Sequence, residues 1–194
     1  MNAVALTGGI ATGKSTVARL LAQHDIPLLD TDHVAADISA PSGSAIPALL
    51  KEFGPDCLTA DGALDRPRMR NIVFSDASAR ARLEGILHPL IRERVNKFLA
   101  DQGSARCAVA IPLYFEALGY AGRFREVVVV DCPTGVQLDR LVNERKMDLG
   151  VAQAILTSQS RRCIRLQLAD RVLVNNADMD ALSVQVSDWV RQWT

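Results

Sequence analysis

The sequence predicts an α/β fold of three layers, with helices flanking a five-stranded parallel sheet, and three observations carry that prediction. Short unbroken apolar runs lie at Ala3 to Leu6, Ala108 to Ile111 and Val127 to Val130, with shorter ones at Ile26 to Leu29 and Val172 to Val174. Runs this short, apolar on both faces, suit strands buried inside a parallel sheet. Between them the apolar residues take helical spacing: Val17, Leu20 and Leu21 in Thr16 to Gln23, and Val136, Leu138, Leu141 and Val142 in Thr134 to Arg145. A last such segment, Asp180 to Trp193, carries Leu182, Val186, Trp189 and Val190. Strands alternating with helices of this length make βαβ units. The third observation is a glycine-rich turn, Gly8 to Gly13, joining the first strand to the first helix.

Two stretches break the alternation. Residues 40–102 read as helical throughout, interrupted at Pro41-Ser42-Gly43, Gly54-Pro55-Asp56 and Ala60-Asp61-Gly62. Within them Asp76 to Ala100 places Leu83, Ile86, Leu87, Leu90, Ile91 and Val95 mostly three and four residues apart, the period of one helix face. This is an insertion between the second and third strands. It either shapes a substrate pocket or only covers the sheet. Residues 146–169 are polar and carry Lys146, Arg161, Arg162 and Arg165. They form either a mobile, arginine-bearing lid or a plain solvated helical pair. The single domain of 194 residues therefore divides into a core (1–39, 103–145 and 170–194), a helical subdomain (40–102) and the segment 146–169.

Composition narrows the function. Lys plus Arg and Asp plus Glu both number 22, so no basic surplus supports a nucleic-acid partner. No run of about 20 apolar residues is present to span a bilayer. The N-terminal residues lack the basic start of a signal peptide and read as a strand. Cys57, Cys107, Cys132 and Cys163 include no Cys-x-x-Cys pair, so they read as isolated reduced thiols in a cytoplasmic protein.

The chemistry begins at Gly8-Gly9-Ile10-Ala11-Thr12-Gly13-Lys14-Ser15, which satisfies Gly-x4-Gly-Lys-Ser/Thr. Glycines let the backbone turn sharply and bring amide N–H groups against phosphate oxygens. The positive end of the following helix meets the same point. Lys14 brings a full charge to the β- and γ-phosphates of ATP, the Ser15 hydroxyl is the candidate ligand for Mg²⁺, and Thr16 is next in line for the α-phosphate. Such a loop also serves GTPases, transporter ATPases and motors. The guanine-reading Asn/Thr-Lys-x-Asp and the Leu-Ser-Gly-Gly signature are both missing, and the chain is short for a motor.

The second strand runs into Asp30-Thr31-Asp32, at the carboxyl edge where open α/β sheets bind ligands. If the strand continues that far, Asp30 and Asp32 share one side of it. Asp30 is expected to cap the helix starting near His33, and Asp32 to accept a substrate hydroxyl's proton.

Leu6 to Ala18 followed by Asp30-Thr31-Asp32 resembles the dephospho-CoA kinase family, and matches continue along the chain. They include His88-Pro89-Leu90-Ile91, Pro112-Leu113-Tyr114-Phe115-Glu116, Val128-Val129-Val130-Asp131-Cys132-Pro133, Gln137, Arg140, Gln159, Ala169-Asp170 and Asn175. The resemblance implies a P-loop kinase fold with a helical acceptor-binding insertion and a lid. It implies transfer of the ATP γ-phosphoryl to the ribose 3′-hydroxyl of dephospho-CoA, the last step of coenzyme A synthesis. It assigns Asp32, Lys14 and Arg140 to catalysis, and Gly8, Gly9, Ala11, Thr12, Gly13, Lys14, Ser15, Thr16, Arg140 and Asn175 to ATP. Pro112, Leu113 and Glu116 would line the acceptor pocket beside Asp32, and His88 either borders that pocket or only caps a helical turn. The family usually shows an alanine-arginine pair where this chain has Ala35-Ala36, and an arginine where it has Glu144. Asp131 ends an apolar run as a Mg²⁺-binding carboxylate does, but is expected to anchor the turn at Pro133. A nucleoside-monophosphate-type kinase and a nucleotide-gated binding module are the alternatives. Asp32 separates the first, because an acceptor already carrying an ionised phosphate needs arginines more than a base.

Overall fold

The computed structural model describes residues 2–115, 120 and 122–193. β1 (Ala3–Gly8) is buried along its whole length because it pairs on both sides, parallel to β3 (Cys107–Ala110) and to β4 (Glu126–Asp131). β2 (Leu28–Asp30) adds to β3 and β5 (Arg171–Val174) to β4, giving the all-parallel order β2-β3-β1-β4-β5. The five apolar runs thus become the five strands. With β1 at the centre, the loop that follows it leaves the middle of the sheet's carboxyl edge.

Successive residues of a strand face opposite ways, so one face of the sheet collects Val4, Leu6, Ala108, Val128 and Val130. These pack on Val17, Leu20 and Leu21 of α1 (Lys14–Gln23) and on Leu182, Val186, Trp189 and Val190 of α9 (Met179–Gln192). Trp189 and Trp193 stack nearly parallel, 5.1 Å between ring centroids. Trp189 donates to Glu126 at 3.4 Å and Trp193 to Asn2 at 2.8 Å, which satisfies both buried indole N–H groups.

The chain divides into two compact units, Met1–Asp30 with Gln102–Thr194, and Thr31–Asp101. The sequence reading keeps residues 31–39 with the core, whereas here α2 (Thr31–Ile38) opens the helical unit. The cause is local bonding: the Ile38 carbonyl accepts from Ala45 N, the Ser39 carbonyl from Leu64 N, and the Ser39 hydroxyl from Arg66. α3 (Ile46–Phe53), α4 (Arg66–Ser75) and α5 (Ala77–Gln102) follow, the last close to the helix expected over Asp76 to Ala100 and carrying Pro89 inside it. Asp65 caps α4 by accepting from Arg68 N.

Two local expectations change. β2 stops at Asp30, and Thr31 and Asp32 already lie in the first turn of α2. The period-two argument for Asp30 and Asp32 therefore does not apply, and the helix begins two residues before His33. The segment after β4 is not one helix: α6 (Thr134–Asp139) widens into a π turn over Arg140–Glu144, closed by Arg145 N on the Arg140 carbonyl and Lys146 at positive φ. π turns recur at functional sites. Residues 146–169 form α7 (Leu149–Ser158) and α8 (Arg162–Gln167). No helix among the described residues is long and apolar enough to cross a membrane.

Cys57, Cys107 and Cys132 are buried, and burial raises all three thiol pKa values, while Cys163 is exposed on α8. The thiolate is the reactive form. Iodoacetamide at neutral pH is therefore expected to add one group to the native chain and four to the denatured chain, counted by intact mass.

Candidate active site

The turn between β1 and α1 has its backbone carbonyls bound from behind. The Ile10 carbonyl accepts from Gln137 Nε2 at 2.5 Å, the Ala11 carbonyl from Arg140 Nη1 at 3.1 Å, and the Thr12 carbonyl from Asn175 Nδ2 at 2.8 Å. Arg140 reaches on to the Asn175 carbonyl at 3.0 Å. A trans peptide points its C=O and its N–H in opposite directions. Holding the Ile10 and Thr12 carbonyls outward therefore aims the Ala11 and Gly13 N–H groups to the other side of the loop. The Thr12 N–H and hydroxyl both turn back to the Gly9 carbonyl, at 3.3 and 2.9 Å. Among the described residues the amides of Ala11, Gly13, Lys14 and Ser15 find no acceptor in the chain. Lys14 and Ser15 open α1 without a side-chain cap. An uncapped helix start beside free amides is an anion site.

Close approach marks the glycines of this turn, most firmly Gly8, where a Cβ would lie 2.5 Å from the Val130 carbonyl oxygen. Gly13 has φ 101°, and a Cβ there would lie 2.1 Å from Asn175 Nδ2. A Cβ on Gly9 would lie 2.7 Å from Gln137 Nε2 and 2.9 Å from Arg165 Nη2. Ala11 takes positive φ, 60°, without that freedom. Its conformation costs on the order of 1 kcal/mol or more and persists because its neighbours are fixed.

Beside the loop lies a cleft of about 270 Å³, walled by Ser15 and Thr16 of α1, Arg140, Glu144 and Arg145 of the π turn, and Asn175 after β5. The structure thus brings together Gly8 to Thr16, Arg140 and Asn175, residues far apart in sequence. Glu144, where the family resemblance expects an arginine, stands on the wall of this cleft. Pro112 follows β3, and its carbonyl accepts from the Thr7 hydroxyl at 3.3 Å; Leu113, next to it, is exposed. Asp32 and His88 belong to the helical unit, Asp32 exposed in the first turn of α2 and His88 half-buried on α5 just before Pro89. Glu116 lies outside the described residues.

Sequence reasoning missed the anchors of the loop. Gln137 and Gln159 carry no role in it, yet Ile10 N–H donates to Gln159 Oε1 at 3.0 Å and the Gln137 side chain is fully buried. Asp131, expected to anchor a turn, accepts a two-pronged bond from Arg162, Nη2 to Oδ2 at 2.6 Å and Nε to Oδ1 at 2.9 Å. That bond holds the Arg162 guanidinium above its ordinary pKa. Arg165 lies buried against Gly9 and donates to the Ser160 carbonyl. The pairing of Asp131 with Arg162 joins β4 to α8 across the fold, and no local pattern announces it.

A central parallel strand that runs into a glycine loop, with its amides and a helix start facing one anion site, defines a P-loop nucleotide-binding protein. A family model described as dephospho-CoA kinase matches residues 2–181. A Dechloromonas aromatica protein named dephospho-CoA kinase is 46% identical over 184 residues, spanning 95% of this chain and 89% of its own. Two solved structures are also similar. A Thermus thermophilus protein has a TM-score of 0.84 at 28% identity, covering 99% of this chain and 97% of its own. A Campylobacter jejuni dephospho-CoA kinase has a TM-score of 0.75 at 27% identity, covering 98% and 96%. The chain belongs to the dephospho-CoA kinase family, and it is a kinase.

Two variants test the site. Gly13→Ala is expected to weaken ATP binding by at least about tenfold in calorimetry, since the φ and the Asn175 contact must both give way. Arg162→Leu leaves the Asp131 carboxylate, 4% exposed, without its cation. It is expected to cost about 1–3 kcal/mol in denaturant unfolding, and adding Asp131→Asn should recover part of that loss.

Proposed function

We infer that this chain transfers the γ-phosphoryl group of ATP to the ribose 3′-hydroxyl of dephospho-CoA, giving coenzyme A and ADP. The observation that carries the reading is the phosphate loop with its carbonyls turned away from the anion site, in a chain matched along residues 2–181 to this kinase family. Phosphoryl transfer asks little covalent chemistry of a protein; it asks for in-line placement and neutralised charge. The amides of Ala11 and Gly13 to Ser15 surround the phosphates, and Lys14 adds a cation. Arg140 and Asn175 shape the nucleotide cleft that they line, and Arg145 borders the nucleotide from the same wall. Ser15 offers one hydroxyl to Mg²⁺. That suits an ion that keeps most of its water, and bound there it would supply positive charge against the phosphates.

Asp32 is the base. It takes the 3′-hydroxyl proton as the oxygen attacks the γ-phosphorus and ADP departs. Pro112, Leu113 and Glu116 take the acceptor, and residues 146–169 act as a lid that excludes water. Reduced thiols and use of ATP agree with a cytoplasmic setting.

Asp32→Asn is the test. The account expects kcat to fall about 10²- to 10⁴-fold, with the Kd for ATP within about twofold of the parent. Coenzyme A formation is followed by mass spectrometry with ATP, Mg²⁺ and dephospho-CoA. Turnover near that of the parent would remove Asp32 from the role of base, and no coenzyme A from the unsubstituted chain would point to a nucleotide acceptor instead.

A further inference from the structure

Both backbone groups of Ile10 are bonded to side chains from later in the chain. Its carbonyl accepts from Gln137, on α6, and its N–H donates to Gln159, the residue that ends α7. Its side chain packs against a buried cluster that includes Leu141 of the π turn and Ala152 of α7, the helical segments that neighbour or carry those two glutamines. The Gln137 amide lies against Gly9 as well, so close that a Cβ there would displace it. The residue that follows, Ala11, sits at φ 60°, a conformation that needs support from its neighbours.

We propose that Gln137 and Gln159 are a pair of positioning residues for phosphoryl transfer, which clamp both backbone groups of Ile10 and thereby aim the Ala11 N–H at the transferring phosphates. The geometry follows from the planarity of the two peptide units that flank Ile10. In the Gly9–Ile10 unit the carbonyl points inward to Thr12, so the Ile10 N–H must point outward, where Gln159 receives it. In the Ile10–Ala11 unit Gln137 draws the carbonyl outward, so the Ala11 N–H must point inward. Without the Gln137 bond, a partly buried carbonyl loses its donor and the Ile10–Ala11 peptide is free to rotate, which removes one amide from the phosphate site. Neither glutamine touches nucleotide in this scheme; each acts through Ile10.

The two roles differ in chemistry. A carbonyl only accepts, so Gln137 must donate; an amide N–H only donates, so Gln159 must accept. A carboxylate accepts and does not donate. Glutamate is therefore expected to serve at position 159 and to fail at position 137, a contrast that a merely structural role for two polar side chains does not produce.

The inference rests on the kinase reading above, and the experiment separates the two. kcat and KM for ATP are measured at saturating dephospho-CoA, in high salt to screen added charge, for the parent and for Gln137→Met, Gln137→Glu, Gln159→Met and Gln159→Glu. Thermal midpoints are recorded alongside. An inactive parent defeats the kinase reading. With an active parent, both Gln137 variants should lose about tenfold in kcat/KM for ATP and Gln159→Met about fivefold, while Gln159→Glu recovers most of what Gln159→Met loses. Losses that merely follow the fall in thermal midpoint, equal losses for Glu and Met at position 159, or native kinetics in the Gln137 variants overturn the clamp. If the Gln137 variants do not fold, the contrast between Met and Glu at position 159 decides it.

Discussion

The structure depends on keeping the carbonyls of one tight turn away from a phosphate. An amide that faces an anion carries a carbonyl behind it, and that carbonyl must be satisfied or the peptide will turn over. Here the donors come from segments well after the loop in sequence: Gln137 from α6, Arg140 from the π turn and Asn175 from the end of β5. The anion site is therefore not a property of Gly8 to Ser15 alone. It exists because the rest of the fold supplies three donors at the right places.

Sheet order explains how those donors arrive. β1 lies between β3 and β4, and β5 lies beyond β4, so the segments that follow β4 and β5 emerge on the side of the loop. The Asn175 N–H bonds the Asp131 carbonyl at 2.8 Å, which fixes the end of β5 against the end of β4. Asp131 itself binds Arg162, so the same strand end also holds α8, and α8 brings Arg165 against Gly9. The π turn serves the same purpose from a different direction: one wide turn after Asp139 lets Arg140 reach both Ala11 and Asn175. Arg140 thus spends its guanidinium on backbone carbonyls while still lining the nucleotide cleft.

Much of this was legible in the sequence, for physical reasons that are local. Buried parallel strands must be apolar on both faces, so Ala3 to Leu6 and Val127 to Val130 stood out, and the loop's residue types follow from close approach to phosphate. What could not be read depends on contacts between distant residues. Nothing in Thr134 to Arg145 marks a change from α to π geometry, because a single wide turn is too short to leave a period of its own. That α2 belongs with the helical unit follows from bonds that Ala45, Leu64 and Arg66 make to Ile38 and Ser39 at its far end, contacts between residues distant in sequence. Gln137 reads as an ordinary polar residue of a helix until its burial and its bond to Ile10 are seen.

The chain shapes the loop before any nucleotide arrives, and backbone amide exchange followed by NMR on the nucleotide-free protein reads this out residue by residue. Slow exchange is expected at Ile10 and Thr12, whose N–H groups are bonded within the chain, and fast exchange at Ala11 and Gly13, which slow only when ADP or ATP is added. Free exchange at Ile10 and Thr12 without nucleotide would contradict it, and would mean that the ligand, not the fold, orders the loop.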